Sequence, residues 1–251
     1  MMWAKPGIYE PCGLYNIKHL ILAISTFFII AVLLKIIKIS QKNDVKEIIR
    51  KATITVWILE IVKTVFLISI GVANNFNKIL PLYYCSLLLY AGFFSSFCKG
   101  KLQKVGDVFL ATGGIVGGVV FLIAPTTSLP EYPMLHFISL HSFFFHGTMI
   151  YLGLLINKYK YVELKLSDIK YYSILVFAIC MIALFINTKY GSNLMFISQD
   201  FPGMLLSNVY HATGKMFTPL MILVQMTLPY LIVYMVINFC KLLKRTFGDE
   251  L

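Results

Sequence analysis

The chain has 251 residues, 59% of them hydrophobic and only 13% charged, with a mean hydropathy of +0.80. A water-soluble domain carries roughly 25% charged residues, so this composition excludes a soluble globular protein and points to an integral membrane one. The formal net charge of +11 is spread as single lysines through short loops and forms no continuous patch. That excludes nucleic acid as a partner and fits loops facing anionic lipid.

In chain order, seven apolar segments are about long enough to cross a ~30 Å hydrocarbon core at 1.5 Å per residue. They are 17–39, 52–73, 79–97, 107–124, 134–156, 171–187 and 217–240, the sixth being the shortest. They predict one all-α membrane domain over residues 1–251, a seven-transmembrane helix bundle. The first run is too long for a cleaved signal peptide and no small-x-small site follows it. Lys35, Lys38, Lys42, Lys46, Arg50 and Lys51 follow the first span. Lys99, Lys101 and Lys104 follow the third, Lys158, Lys160, Lys165 and Lys170 the fifth, and Lys241, Lys244 and Arg245 the last. The alternate loops hold only Lys78, Lys189 and Lys215. The positive-inside rule then predicts an outside N-terminus and a cytoplasmic C-terminus for a multi-pass protein of the cell membrane, and the odd span count agrees.

The fourth span reads TGGIVGG, so Gly113/Gly117 and Gly114/Gly118 have the small-xxx-small spacing of closely packed membrane helices. No internal repeat is visible, which argues against the repeat-built transporters. The long outer connection 188–216 holds Gly191, Asn193, Asp200, Pro202, Gly203, Asn208 and His211 between apolar residues, and is expected to dip into the outer leaflet or cap a cavity. Cys12, Cys85, Cys98, Cys180 and Cys240 show no C-x-x-C pair, and no disulfide framework is implied.

Ionisable groups at membrane depth are costly and usually functional. On these spans Cys85 lies ~9 Å below the outer boundary, His141 ~10 Å and His146 ~18 Å. Glu60 and Lys63 share one face of the second span near the midplane. Cys85, His141, His146 and Glu60 are therefore expected in one cavity in the outer half of the bundle. A buried thiol is inert alone; a histidine can take its proton, and a carboxylate commonly orients that histidine. Each member has a plainer reading: a cysteine that packs, histidines that bond between helices, a glutamate that pairs with Lys63. His136 and His211, at the outer boundary, read as interfacial. Histidines at i and i+5 point about 140° apart, so they would not chelate a metal as i,i+4 pairs do. No metal or cofactor is expected, and the two histidines are expected to play different parts.

The same residues carry a family likeness. His19-Leu20 at the first span, Glu60 in the second, Leu80-Pro81-Leu82 leading to Cys85-Ser86, Gly113-Gly114 with Pro125, His141 to Gly147 (HSFFFHG), and Asn193 with Pro202 occur in this order. Together they resemble the YwaF-like integral membrane proteins, related to a eukaryotic transmembrane acyltransferase that remodels ether phospholipids through a cysteine. One position departs: Tyr83 stands where relatives often have a histidine. The resemblance implies Cys85 as acyl-accepting nucleophile, His146 as its base, and His141 with Glu60 as orienting groups. It further implies His19, Tyr83 and Asn193 as substrate contacts. The expected function is a membrane lipid acyltransferase or acyl hydrolase acting on membrane phospholipids. The alternative is a small transporter or permease, with Glu60, His141 and His146 lining a proton or substrate path.

Overall fold

A computed structural model describes residues 1–73, 76–201 and 205–247. Within them the chain forms helices and loops and no strand. The helices are α1 (Ile17–Ile36), α2 (Lys42–Ser69), a single turn α3 (Phe76–Ile79), α4 (Leu87–Phe97), α5 (Gly100–Ala111), α6 (Gly113–Ile123), α7 (Phe137–Lys158), α8 (Ile169–Tyr190), α9 (Leu205–Thr213) and α10 (Phe217–Phe247). Six stretches are long and apolar enough to cross a membrane: α1, α2, Gly100–Ile123, α7, Leu166–Tyr190 and Leu206–Leu243.

The third expected span, 79–97, is the exception. Only Leu87–Phe97 is helical, an 11-residue piece about 16 Å long. Pro81 cannot donate to a helix and sets the residue before it against helical backbone, so Leu80–Ser86 runs as an irregular lead-in. Irregular backbone at membrane depth survives only inside protein or along a cavity. Here both hold. The N-terminal half of α4 is buried, with Leu87, Leu88 and Leu89 at most 1% exposed, while Phe93 and Phe97 face outward at 47% and 49%. The lead-in is fixed by Tyr90, whose hydroxyl donates to the Pro81 carbonyl at 3.1 Å, and it borders the cavities described below.

The fourth expected span is also interrupted. α5 ends at Ala111 and α6 starts at Gly113, with Thr112 between them at φ −127°, ψ −78°. Asn157 of α7 satisfies the broken end, its amide donating to the carbonyls of Ala111 and Gly153 at 2.8 Å each. The glycines of α6 serve close packing, as their spacing predicts. A Cβ on Gly118 would sit 2.5 Å from Ile150 Cγ1 and 2.7 Å from the His146 carbonyl oxygen.

The basic loops gather at one end of the bundle. Tyr159 Oη donates to the Ile37 carbonyl at 2.9 Å, Gln103 Nε2 to Tyr161 Oη at 3.1 Å, and Lys104 pairs with Asp168 at 2.6 Å. At the other end Lys78 pairs with Glu131 at 2.8 Å, and the N-terminal segment lies across the 129–137 turn. Its backbone bonds run from Cys12 N to Tyr132 O and from Phe137 N to Met2 O. Cys12 of this strap and His136 beneath it are both buried at this end of the bundle.

Candidate functional site

Two cavities meet at the strap end of the bundle. The first, about 320 Å³, is lined by Glu60 and Lys63 of α2, Cys85, Glu131, and His141 and His146 of α7 among others. The second, about 310 Å³, lies between α6 and α10 and is lined mostly by apolar groups. Cys85, His146, Tyr83, Phe196 and Phe201 border both. The four residues expected to converge do converge, although Cys85 sits in a turn leading into α4 and not on a membrane-spanning helix.

That turn is held from below by a relay of hydroxyls. Pro229 in α10 has no N–H, which leaves the Gln225 carbonyl, four residues earlier, without its helical donor. Tyr172 Oη of α8 supplies the missing donor at 2.9 Å. Having spent its proton there, Tyr172 accepts from Tyr84 Oη at 2.7 Å, which anchors the residue adjoining Cys85. Ser86 stands at the N-cap position of α4 without a side-chain capping bond; the N–H groups of Tyr83, Tyr84 and Cys85 meet no backbone carbonyl among the described residues, and that of Ser86 turns to the Cys85 sulfur. Cys85 therefore lies at the positive end of a buried helix, where an anion is favoured.

The histidines do take different parts. His146 Nδ1 lies 2.7 Å from the Ser142 carbonyl, which can only accept, so Nδ1 carries the proton and Nε2 keeps its lone pair. Phe121 of α6 stacks flat on this ring, centroids 3.6 Å apart and planes 8° apart. His141 points at α2, its Nε2 3.6 Å from Glu60 Oε2 and without a hydrogen-bond partner among the described residues. Glu60 Oε1 is bonded to Lys63 Nζ at 2.5 Å. The glutamate thus serves both the plain pairing with Lys63 and the approach to His141.

The expected substrate contacts divide. Tyr83 borders both cavities, its ring 5.0 Å from that of Phe196. His19 lies away from them: Nε2 meets the Leu122 carbonyl at 2.9 Å, Nδ1 accepts from Tyr15 N, and the ring fastens α1 to the end of α6. Asn193 borders neither cavity either. Its Oδ1 accepts from Ser198 N and Gln199 N, and its own N–H donates to Asn77 Oδ1. It shapes the turn carrying Phe196. With Asn187 it holds Met195 and Phe196 in left-handed backbone, φ 57° and 52°, a strained arrangement for non-glycine residues. Pro202 and Gly203 lie outside the described residues.

Sequence reasoning missed Phe196, Tyr84, Tyr172 and the Lys78–Glu131 pair. Only the proline in an otherwise continuous apolar helix signals, in retrospect, that a hydroxyl donor must stand opposite.

No curated protein and no solved structure matches the chain. One family model, described as the TMEM164 family, matches residues 14–240. The match runs from just before α1 into α10 and takes in every element bordering the two cavities; the chain belongs to the TMEM164 family.

Proposed function

We propose that this protein is a membrane lipid acyltransferase or acyl hydrolase in which Cys85 accepts an acyl group from a phospholipid ester and His146 moves the proton. The observation that carries the reading is the position of Cys85 and His146 at the seam between a charged cavity and an apolar one. The likeness to YwaF-like proteins, and through them to a cysteine-dependent ether-phospholipid acyltransferase, supports it. In this reading the chain crosses the cell membrane seven times, with its N-terminus outside and the site opening toward the outer leaflet.

The step begins as His146 Nε2 takes the Cys85 Sγ proton and the sulfur attacks the ester carbonyl carbon. The tetrahedral intermediate collapses by breaking the ester C–O bond. The departing lysolipid oxygen takes the proton from His146, which leaves a neutral imidazole and an acyl thioester. An acceptor hydroxyl, or water in the hydrolase case, then gives its proton to Nε2 and attacks the thioester. The C–S bond breaks and the thiolate takes that proton back. The N–H groups at Cys85 and Ser86 would serve as donors to the oxyanion, a contribution worth about 3–4 kcal/mol in other acyl-transfer enzymes. His141 with Glu60 orients the site, and the charged cavity holds the headgroup.

The test is lipid mass spectrometry on wild type, Cys85→Ala and His146→Ala in nanodiscs supplied with mixed phospholipids. Product from wild type alone is expected. The Glu60–Lys63–His141 cluster on the charged cavity favours the transporter reading. Equal lipid profiles in all three proteins, with transport lost in Glu60→Gln and kept in Cys85→Ala, would establish that reading instead.

A further inference from the structure

The two cavities differ in chemistry in a way that divides a phospholipid. Glu60, Lys63, Lys78 and Glu131 border only the first. The second holds none of these charges; Val116, Val120 and Phe121 of α6, Leu206, and Pro229 of α10 make up much of its wall. An ester-linked lipid has the same division, a polar headgroup and glycerol on one side of the ester carbonyl and hydrocarbon on the other. Cys85 lies where the carbonyl of such a molecule would fall.

The second cavity also reaches the surface of the bundle at membrane depth. Val120 of its α6 wall is 59% exposed, opposite Gln225 and Pro229 of α10. The two helices are each interrupted near this gap. α6 begins at the Thr112 break, and α10 carries Pro229, which frees the Gln225 carbonyl that Tyr172 of α8 binds.

We infer that the cavity between α6 and α10 is an acyl-chain channel, entered laterally from the bilayer past Val120, and that Val116 and Val120 set the chain length the site accepts. This rests on the acyl-transfer reading above. Hydrocarbon entering there loses contact only with other hydrocarbon, so the ends of the channel, and not desolvation, limit which chains fit. A bulky ring at position 116 or 120 takes up volume that the last carbons of a long chain would occupy.

The experiment measures the acyl thioester on the Cys85 peptide by mass spectrometry, using full-length protein in nanodiscs doped with phosphatidylcholines of 8-, 12-, 16- and 18-carbon chains. Wild type, Val116→Phe, Val120→Trp and Val120→Ala are compared, each first checked for an unchanged thermal transition; the control is Ile29→Trp, in a separate groove between α1 and α7 lined by Ile29, Leu33 and Phe144 among others. The inference expects Val116→Phe and Val120→Trp to lose 16- and 18-carbon thioester at least tenfold while keeping the 8-carbon form. Val120→Ala, which only removes atoms, should accept long chains at least as well as wild type, and Ile29→Trp should match wild type. A Cys85 thioester in wild type whose chain profile is the same in every folded variant would overturn the channel and leave the acyl-transfer reading standing. No thioester on Cys85 in wild type, with Cys85→Ala indistinguishable in lipid products, would overturn both.

Discussion

Two glycines four residues apart on α6 should respond to alanine in opposite directions. At Gly118 an added Cβ would lie 2.7 Å from the His146 carbonyl oxygen and 2.5 Å from Ile150 Cγ1, against about 3.4 Å for ordinary contact. The isoleucine can rotate; the backbone carbonyl cannot, so α6 and α7 must part by about 0.7 Å. Overpacking of this kind costs about 1–3 kcal/mol. For a chain of this size that corresponds to roughly 2–12 °C in Tm. The same separation loosens the Phe121–His146 stack, whose geometry contributes about 0.5–1.5 kcal/mol beyond its buried area. At Gly114 the nearest atom to a new Cβ is the Met149 carbonyl oxygen at 3.4 Å, an ordinary contact. Alanine there should be neutral or stabilising by up to about 1 kcal/mol, because it restricts the unfolded chain. The assay is thermal unfolding of both variants in the same detergent, followed by the rate of thiol-dependent product formation below both transitions. Gly118→Ala should be destabilised and slowed, Gly114→Ala neither. Equal behaviour of the two would refute the claim that close approach of α6 to α7 sets the place of His146.

Tyr172→Phe should cost about 1–3 kcal/mol, since it orphans the Gln225 carbonyl in the core; in a Pro229→Ala background, where the helix supplies its own N–H, a double-mutant cycle should show most of that cost gone. Asn187→Ala removes the bonds to Leu194 N, Leu194 O and Ser198 Oγ, so hydrogen exchange of 193–201 should accelerate while that of mid-α8 stays unchanged; equal protection would mean that other contacts hold the Phe196 turn. The N-terminal strap should be acid-sensitive. His136 caps α7 by accepting from Ile138 N through Nδ1 while Nε2 donates to the Ala4 carbonyl; burial, together with the nearby Met1 amino group, outweighs that bond and holds its pKa below 6.5. With the strap undocked, His136 therefore binds the extra proton first. Docking should be complete above about pH 6.5 and weaken as pH falls below it toward the folded value, read as faster proteolysis of residues 1–16. His136→Gln should flatten that profile, and a wild-type profile flat from pH 7 to 5 would remove His136 as its cause.

The convergence of Cys85, His141, His146 and Glu60 was legible because depth in a membrane is nearly a linear function of sequence position. Each residue's height could be counted from the end of its span, and only its facing direction was open. The close approach at Gly118 was legible from spacing alone. The break in the third pass was not. Residues 79–97 are as apolar as a true span, and hydropathy measures solvent preference without regard to hydrogen bonding. Pro81 was the local signal, outweighed by Leu80, Leu82 and Leu87–Leu89 on either side. His19 and Asn193 look like site residues in a motif. Their bonds to Leu122 O, Ser198 N and Gln199 N arise from contacts across loops whose paths no periodicity encodes. Phe196 enters the cavities through left-handed backbone at a non-glycine position, which a sequence pattern would assign elsewhere.

The shortness of α4 bears on how the protein is made. An 11-residue helix cannot hold itself across a bilayer, and the backbone groups of Leu80–Ser86 would each cost several kcal/mol if left in hydrocarbon. The contacts that hold this segment in place come from both directions in the chain. Trp57, synthesised earlier, donates to the Leu89 carbonyl, whereas Tyr172, which receives the Tyr84 hydroxyl, is synthesised almost ninety residues after it. Residues 80–97 must therefore wait at the membrane surface, or against the insertion machinery, until α8 has arrived. A nascent chain arrested before α8 should leave Cys85 open to a water-soluble maleimide, and one released after α10 should not.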